Sequence, residues 1–254
     1  MKSPLSLLAV AAFVLTFSSN ASAQSEITLL SPDPIKATIE KLVGDFEAKS
    51  GTQVKITYGT GVSTRATVAS GQALDVSILF APFPEALKTG NIVPGSATVI
   101  ARLRLALAVQ KGAPKPDIST PEAVKRALLN AKSILSVDPA QGSVGGIALA
   151  TLEKLGITDQ VKPKIKWVRT GIIVQESVAN GDAEIALGPY LSDMRNPGLD
   201  VVGALPPEAS TPVDITGFLS TSVKDPKAAK ALLGYLSSHE AAPVYEAAKI
   251  FPAH

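Results

Sequence analysis

Residues 27–65 read ITLLSPDPIKATIEKLVGDFEAKSGTQVKITYGTGVSTR, and this stretch decides the fold. Ile27–Leu30 is a short apolar strand that runs into Ser31-Pro32-Asp33-Pro34. From Pro34 to Lys49 the apolar residues Ile35, Ile39, Leu42, Val43 and Phe46 recur at helical spacing, and Gly51 ends the run. A second strand, Val54–Tyr58, leads through Gly59-Thr60-Gly61-Val62 into a short helix, Ser63–Ser70, closed by Gly71. Strand, polar turn, helix, strand, polar turn, helix is the pattern of a parallel sheet covered by helices. Each such turn delivers free backbone N–H groups and the positive end of a helix dipole, which suits a small anion.

Outward from this stretch the alternation continues. Val76–Phe80 is a buried strand, and Ala101–Val109 alternates Leu103, Leu105, Leu107 and Val109 with arginines and smaller residues, as a half-buried strand does. Lys111–Asp117 is a Pro/Gly break. A second set of units begins at Ser119 or Thr120, either of which can cap a helix with Pro121 in its first turn and Glu122 placed to complete a box from Ser119. The strand Ser133–Val137 then reaches Asp138-Pro139-Ala140-Gln141-Gly142-Ser143 and a helix, Val144–Leu155. Ile165–Val168, Glu184–Leu187, Val201–Val202 and Asp214–Ser220 read as strands, Ile173–Asn180 as a helix, and Lys227–Ser237 and Ala241–Lys249 as closing helices. The strand–turn–helix device thus appears in both halves. Two Rossmann-like lobes are expected, 24–106 plus 214–254 and 107–213, with an interlobe cleft and two hinge crossings; a single larger sheet is the alternative.

Composition narrows the chemistry. Lys2, the apolar run Leu5–Phe17 and Ala21-Ser22-Ala23 form an export signal with cleavage expected after Ala23, an uncleaved anchor being the alternative. Cysteine is absent, which excludes disulfides and thiolate metal sites, so packing must supply the stability. A formal charge of +2 without any like-charge block gives no footprint for nucleic acid, and Lys162, Lys164 and Lys166 alternate as the solvated face of a strand would. Histidine occurs only at 239 and 254, away from the strand-end turns, so a Ser/His/Asp arrangement lacks its imidazole. Gly142–Gly146 has no Lys-Ser or Lys-Thr behind it, and Gly59-Thr60-Gly61 lacks the third glycine of a dinucleotide fingerprint. No metal and no cofactor is expected.

What remains is a set of neutral donors and two arginines. Ser31, Thr60, Gly61, Ser63, Gln141, Gly142, Ser143 and Thr170 lie where strands end and helices begin. Helix capping alone favours serine and threonine at such positions, but their recurrence in both halves points to a shared cleft. Arg65 is placed in the first turn of its helix, where a cation opposes the dipole and calls for a carboxylate or a bound anion. Arg169 follows a strand and can meet a carboxylate bidentately, while Tyr190 is either a cleft wall or a core residue.

Ile27–Gly51, Thr57–Ile78, Ser136–Gly156 and the late segment Asp200–Pro207 resemble the exported molybdate-binding proteins of ABC importers, within the type II periplasmic solute-binding superfamily. The resemblance implies two α/β lobes and an oxyanion held by hydroxyls and backbone N–H groups. At the family's first serine motif this chain has Ser31-Pro32-Asp33-Pro34, which adds a carboxylate and two residues without an N–H. Ala108–Ser119 is also similar to the exported aconitate isomerases, which implies a tricarboxylate and a base to move an allylic proton; Asp33, Glu176 or Tyr190 would serve. The expected protein is a monomeric periplasmic receptor for a small oxyanion or carboxylate that docks on an inner-membrane ABC permease, the alternative being an isomerase with the same cleft.

Overall fold

The computed structural model describes residues 26–140, 143–191 and 196–254. Within them the strands form two separate sheets, so the single larger sheet is excluded. The export signal expected over residues 1–23 lies outside the described residues.

The first sheet is built around β1 (Glu26–Pro32). It pairs in parallel with β2 (Gln53–Gly59) on one side and β3 (Val76–Phe80) on the other. The last three positions run antiparallel or at the edge: β10 (Val213–Leu219), then β4 (Thr98–Leu103), then the short β11 (Phe251–Pro252), giving the order β11-β4-β10-β3-β1-β2. Helix α1 (Lys36–Ser50) covers one face, and Ile39, Leu42, Val43 and Phe46 are all buried against Ile27 and Leu29 of β1. It ends at Gly51, whose φ of 71° is left-handed and open to glycine without strain. The other face is covered by α2 (Gly61–Ala69) and α3 (Pro84–Lys88), over Leu30, Leu79 and Phe218. The closing helices α8 (Pro226–Leu236) and α9 (Ala242–Ala247) return to the α1 side.

The second sheet has the order β7-β6-β8-β5-β9. Its strands are β5 (Leu105–Gln110), β6 (Ile134–Val137), β7 (Ile165–Val168), β8 (Ile185–Pro189) and β9 (Leu199–Ala204). Helix α4 (Pro121–Asn130), capped by Thr120, and α5 (Ser143–Lys154) cover one face, with α6 (Thr158–Val161) beside them; α7 (Gly171–Ala179) covers the other. The fold is therefore mixed α/β in two sheets, the type II periplasmic binding architecture.

Three sequence expectations change. Ala101–Val109 is not one half-buried strand: it breaks at Arg104, so that β4 belongs to the first sheet and β5 to the second. The alternation in β5 separates large from small residues and not inside from outside, because Leu107 and Ala108 are both fully buried, against α5 and α7 respectively. The helix expected from Pro34 begins at Lys36, since Asp33-Pro34-Ile35 forms a tight three-residue turn. The helix expected from Ser63 begins at Gly61, with Thr60 as its cap, and this shifts Arg65 from the first turn to the fifth position.

Candidate functional site

Helices α2, α5 and α7 start at the C-terminal ends of β2, β6 and β7, so their N-termini project past the same edge of the two sheets. Thr60 is the cap of α2: its hydroxyl oxygen accepts from Ser63 N at 3.0 Å, and Thr64 N donates to Thr60 O. Thr170 repeats the device on α7, accepting from Ile173 N at 3.4 Å while Val174 N donates to Thr170 O. Capping thus satisfies the third N–H of each helix and leaves those of Gly61 and Val62, and of Gly171 and Ile172, without intrahelical partners.

Thr60, Gly61, Ser143, Val144, Thr170, Gly171 and Ile172 all line one cavity of about 500 Å³ between the sheets. Asp33 and Pro34 contribute from the end of β1, Phe80 from β3, Val137 from β6, and Leu187, Gly188 and Pro189 from β8. Three helix N-termini and the exposed Arg169 bring positive potential to the polar part of the lining, with Asp33 as the carboxylate set against them. Among the described residues Arg169 has no ion pair. Most of the remaining wall is hydrocarbon: Phe80, Val137, Val144, Ile172, Val174, Leu187 and Leu191. Ile172 is 67 % exposed although it sits at the mouth of this wall. Such a cleft, mainly apolar with a few convergent donors, has the form of a small-molecule site.

A family model for bacterial extracellular solute-binding proteins matches residues 27–248. The chain belongs to that family. This solute-binding protein is 27 % identical to an aconitate isomerase from a Pseudomonas species, across 98 % of the chain and 97 % of the relative. It is 26 % identical to the molybdate-binding protein ModA of Azotobacter vinelandii, across 83 % of the chain and 84 % of the relative. Among solved structures the sulfate-binding protein SubI of Mycobacterium tuberculosis superposes with a TM-score of 0.73 at 15 % identity, covering 91 % of this chain and 88 % of that one.

The other expected site residues divide by position. Ser143 is almost fully buried and its hydroxyl accepts a hydrogen bond from Arg65 Nη1 at 2.7 Å. Arg65 is therefore not free for a ligand in the way its expected first-turn position implied. Glu85 Oε2 lies 4.0 Å from its Nε as a partial counter-charge. Ser63 is turned back onto its own cap, donating to Thr60 O at 3.1 Å, and is outside the cavity lining. Ser31 is fully buried on the face of β1 that carries α1, and its hydroxyl has no partner among the described residues. Beside it, in register on β2, the Tyr58 hydroxyl is also buried and unpartnered; burial first, then Glu40 and Asp33, push its pKa up to about 12. Tyr190 lies between Pro189 and Leu191 but its ring stacks on Phe251, with centroids 6.5 Å apart. Glu176 is exposed on α7 and outside the lining. Of the three candidate bases only Asp33 lines the cavity. Gln141 and Gly142 lie outside the described residues.

Residues that sequence reasoning passed over are the apolar ones. Phe80 and Val137 occupy strand ends just as the polar candidates do, so the same positional rule reaches them once hydrophobic residues are admitted, whereas Leu187 lies in the middle of β8. Among the described residues no group of three or more His, Asp or Glu side chains is placed to hold a metal ion, and no helix is long and apolar enough to cross a membrane.

Proposed function

We propose that this chain is a periplasmic substrate-binding protein of an ABC importer, exported with cleavage after Ala23, that captures a small anion in the cleft between its two lobes and presents it to an inner-membrane permease. The observation that carries this reading is the meeting of Thr60-Gly61, Ser143 and Thr170-Gly171, from both sheets, on one cavity that also holds Arg169. A ligand touching both lobes stabilises the closed form differentially, which is the condition for capture by hinge closure. The lobes in this reading are 24–106 plus 214–254 and 107–213; the change of sheet at Arg104 supports two lobes but sets the first crossing before Leu105, two residues earlier than this division.

Between an oxyanion and a carboxylate, the walls favour the carboxylate. A tetrahedral oxyanion wants donors on every side, whereas Phe80, Val137, Leu187 and Leu191 offer only hydrocarbon. A carboxylate on an apolar body places its charge at the helix N-termini and Arg169 and its carbon skeleton against the wall. The test is a thermal-shift screen of molybdate, tungstate, sulfate, phosphate and mono-, di- and tricarboxylates, followed by calorimetry. A tight ligand at a hundredfold over its dissociation constant adds about 2.7 kcal/mol. A screen in which no anion raises the melting temperature sinks the reading.

The second reading is an isomerase of an unsaturated polycarboxylate. It is favoured by Asp33, a carboxylate in the cavity lining that a pure anion receptor has no use for, and by the likeness to an aconitate isomerase along 98 % of the chain. Incubation of the purified protein with trans-aconitate, with chromatography for the cis isomer, decides between the two. Turnover abolished by Asp33→Asn establishes the enzyme, and saturable binding without turnover establishes the receptor.

A further inference from the structure

Where the two lobes touch, a cation, a hydroxyl and a missing side chain meet. Arg65 of α2 donates from Nη1 to Oγ of Ser143, the first residue of α5, at 2.7 Å. The guanidinium is mostly enclosed, its side chain 18 % exposed. Gly61 completes the contact. A Cβ at that position would stand 2.3 Å from Ser143 Oγ and 3.1 Å from Ser143 Cβ, so the lobes approach this closely only because residue 61 carries no side chain. Arg65 and Gly61 belong to the first sheet's layer and Ser143 to the second's, so the bond depends on the cleft being closed.

We infer that Arg65 is a positioning residue acting through Ser143: it latches the closed cleft and sets the Ser143 hydroxyl as a donor toward the captured anion. The inference rests on the anion-capture reading and adds its regulation. A guanidinium only donates, so Ser143 Oγ spends a lone pair on Arg65 and keeps its single O–H for the cavity it lines. The seam is also electrostatically conditional. The positive ends of α2 and α5 gather there, whereas the Arg65 guanidinium has the exposed Glu85 at 4.0 Å as its paired carboxylate among the described residues. In an empty cleft this charge opposes closure. An anion against Gly61, Ser143 and Gly171 reverses the balance, so binding and latching reinforce one another.

The chain contains no cysteine, so Lys88→Cys on the first lobe and Ala150→Cys on the second, both exposed positions, accept spin labels cleanly. Double electron–electron resonance then reads the interlobe distance in this background and with Gly61→Ala, Arg65→Gln or Ser143→Ala added. The expected result is a short-distance population that rises with trans-aconitate or molybdate and falls about tenfold in each variant, as loss of a charged hydrogen bond implies. Arg65→Gln on top of Ser143→Ala should change nothing further, because the two act through one bond. Distributions unaltered by all three substitutions, or strictly additive effects of Arg65→Gln and Ser143→Ala, overturn the latch, as does a background with no short-distance population under any condition. Circular dichroism melts of the same variants identify any that fails to fold, and Arg65→Gln carries the test if Gly61→Ala does. Calorimetry separates the two levels of argument. If neither anion binds but the distances still respond to the substitutions, the latch stands and anion capture falls; if an anion binds and the distances do not respond, capture stands and the latch falls.

Discussion

Gly145→Ala probes how rigidly the seat of Ser143 is built. Gly145 is the third residue of α5, and a Cβ there would lie 2.1 Å from Val137 O and 2.6 Å from both Asp138 C and Pro139 N. Carbon–oxygen contacts begin near roughly 3.3 Å, so the start of α5 must retreat by about 1 Å. The opposing atoms are backbone at the end of β6, where Asp138 N is held by Val168 O at 2.8 Å, and they have no rotamer by which to yield. Overpacking of this kind costs about 2–3 kcal/mol. For a chain of this size that lowers Tm by about 4–12 °C. Gly146 is the internal control. An added Cβ meets nothing within 4 Å there, and alanine in an exposed helical position gains up to about 1 kcal/mol over glycine. Thermal and urea unfolding of both variants gives the comparison, with equal m-values required before the midpoints are read as stability. Gly145→Ala melting at the wild-type temperature would refute the reasoning, since α5 would then not be pinned to the strand end.

Asp75 accepts from Thr28 N and Thr28 Oγ1 at 2.8 Å each and from Lys224 N at 2.7 Å, tying β1 to the turn before α8. Burial alone would raise its pKa, but the Lys224 and Thr28 bonds outweigh it and hold the carboxyl below its ordinary 3.8. The folded value lies below the unfolded one, so this stabilisation is complete above about pH 4 and fades as pH falls further; Asp75→Asn should cost about 2 kcal/mol at neutral pH and flatten the urea-midpoint profile on the acid side. Tyr245→Phe deletes the buried bond from the tyrosine hydroxyl to Leu236 O at 3.0 Å and should lower stability in urea unfolding by about 1 kcal/mol. Arg169→Gln should weaken the anion found in the thermal screen about tenfold to a hundredfold by calorimetry while leaving the Tm of the free protein unchanged, because Arg169 is exposed. Unchanged affinity in that variant removes Arg169 from the site.

How much of the fold was legible depends on how local its determinants are. The face of α1 could be read directly, because Ile35, Ile39, Leu42, Val43 and Phe46 are all buried and Gly51 stops the helix as its type suggests. Repetition of strand, turn and helix in both halves led to two lobes. The break at Arg104 was not legible. A change of sheet needs no glycine or proline, and the Leu-Ala-Leu-Ala run of β5 mimics an amphipathic strand although Ala106 and Ala108 are as buried as Leu105 and Leu107. A strand as short as Phe251–Pro252 has no periodicity to read, and its place beside β4 is fixed by register alone.

In the site, the donors announced themselves and the wall did not. A capping threonine is chosen by the N–H groups three residues ahead of it, so Thr60 and Thr170 are visible in a window of four residues. Phe80, Leu187 and Leu191 have no such local signature, since nothing in their neighbourhoods distinguishes a cavity wall from ordinary core. Arg65 combines both difficulties. Its misplacement in the first turn came from reading the helix start two residues late, a local error that knowledge of the cap corrects. Its role is a different matter. The Ser143 hydroxyl that engages it is 78 positions away and belongs to the other sheet's layer, so no stretch of sequence around Arg65 contains the atom that decides what Arg65 does.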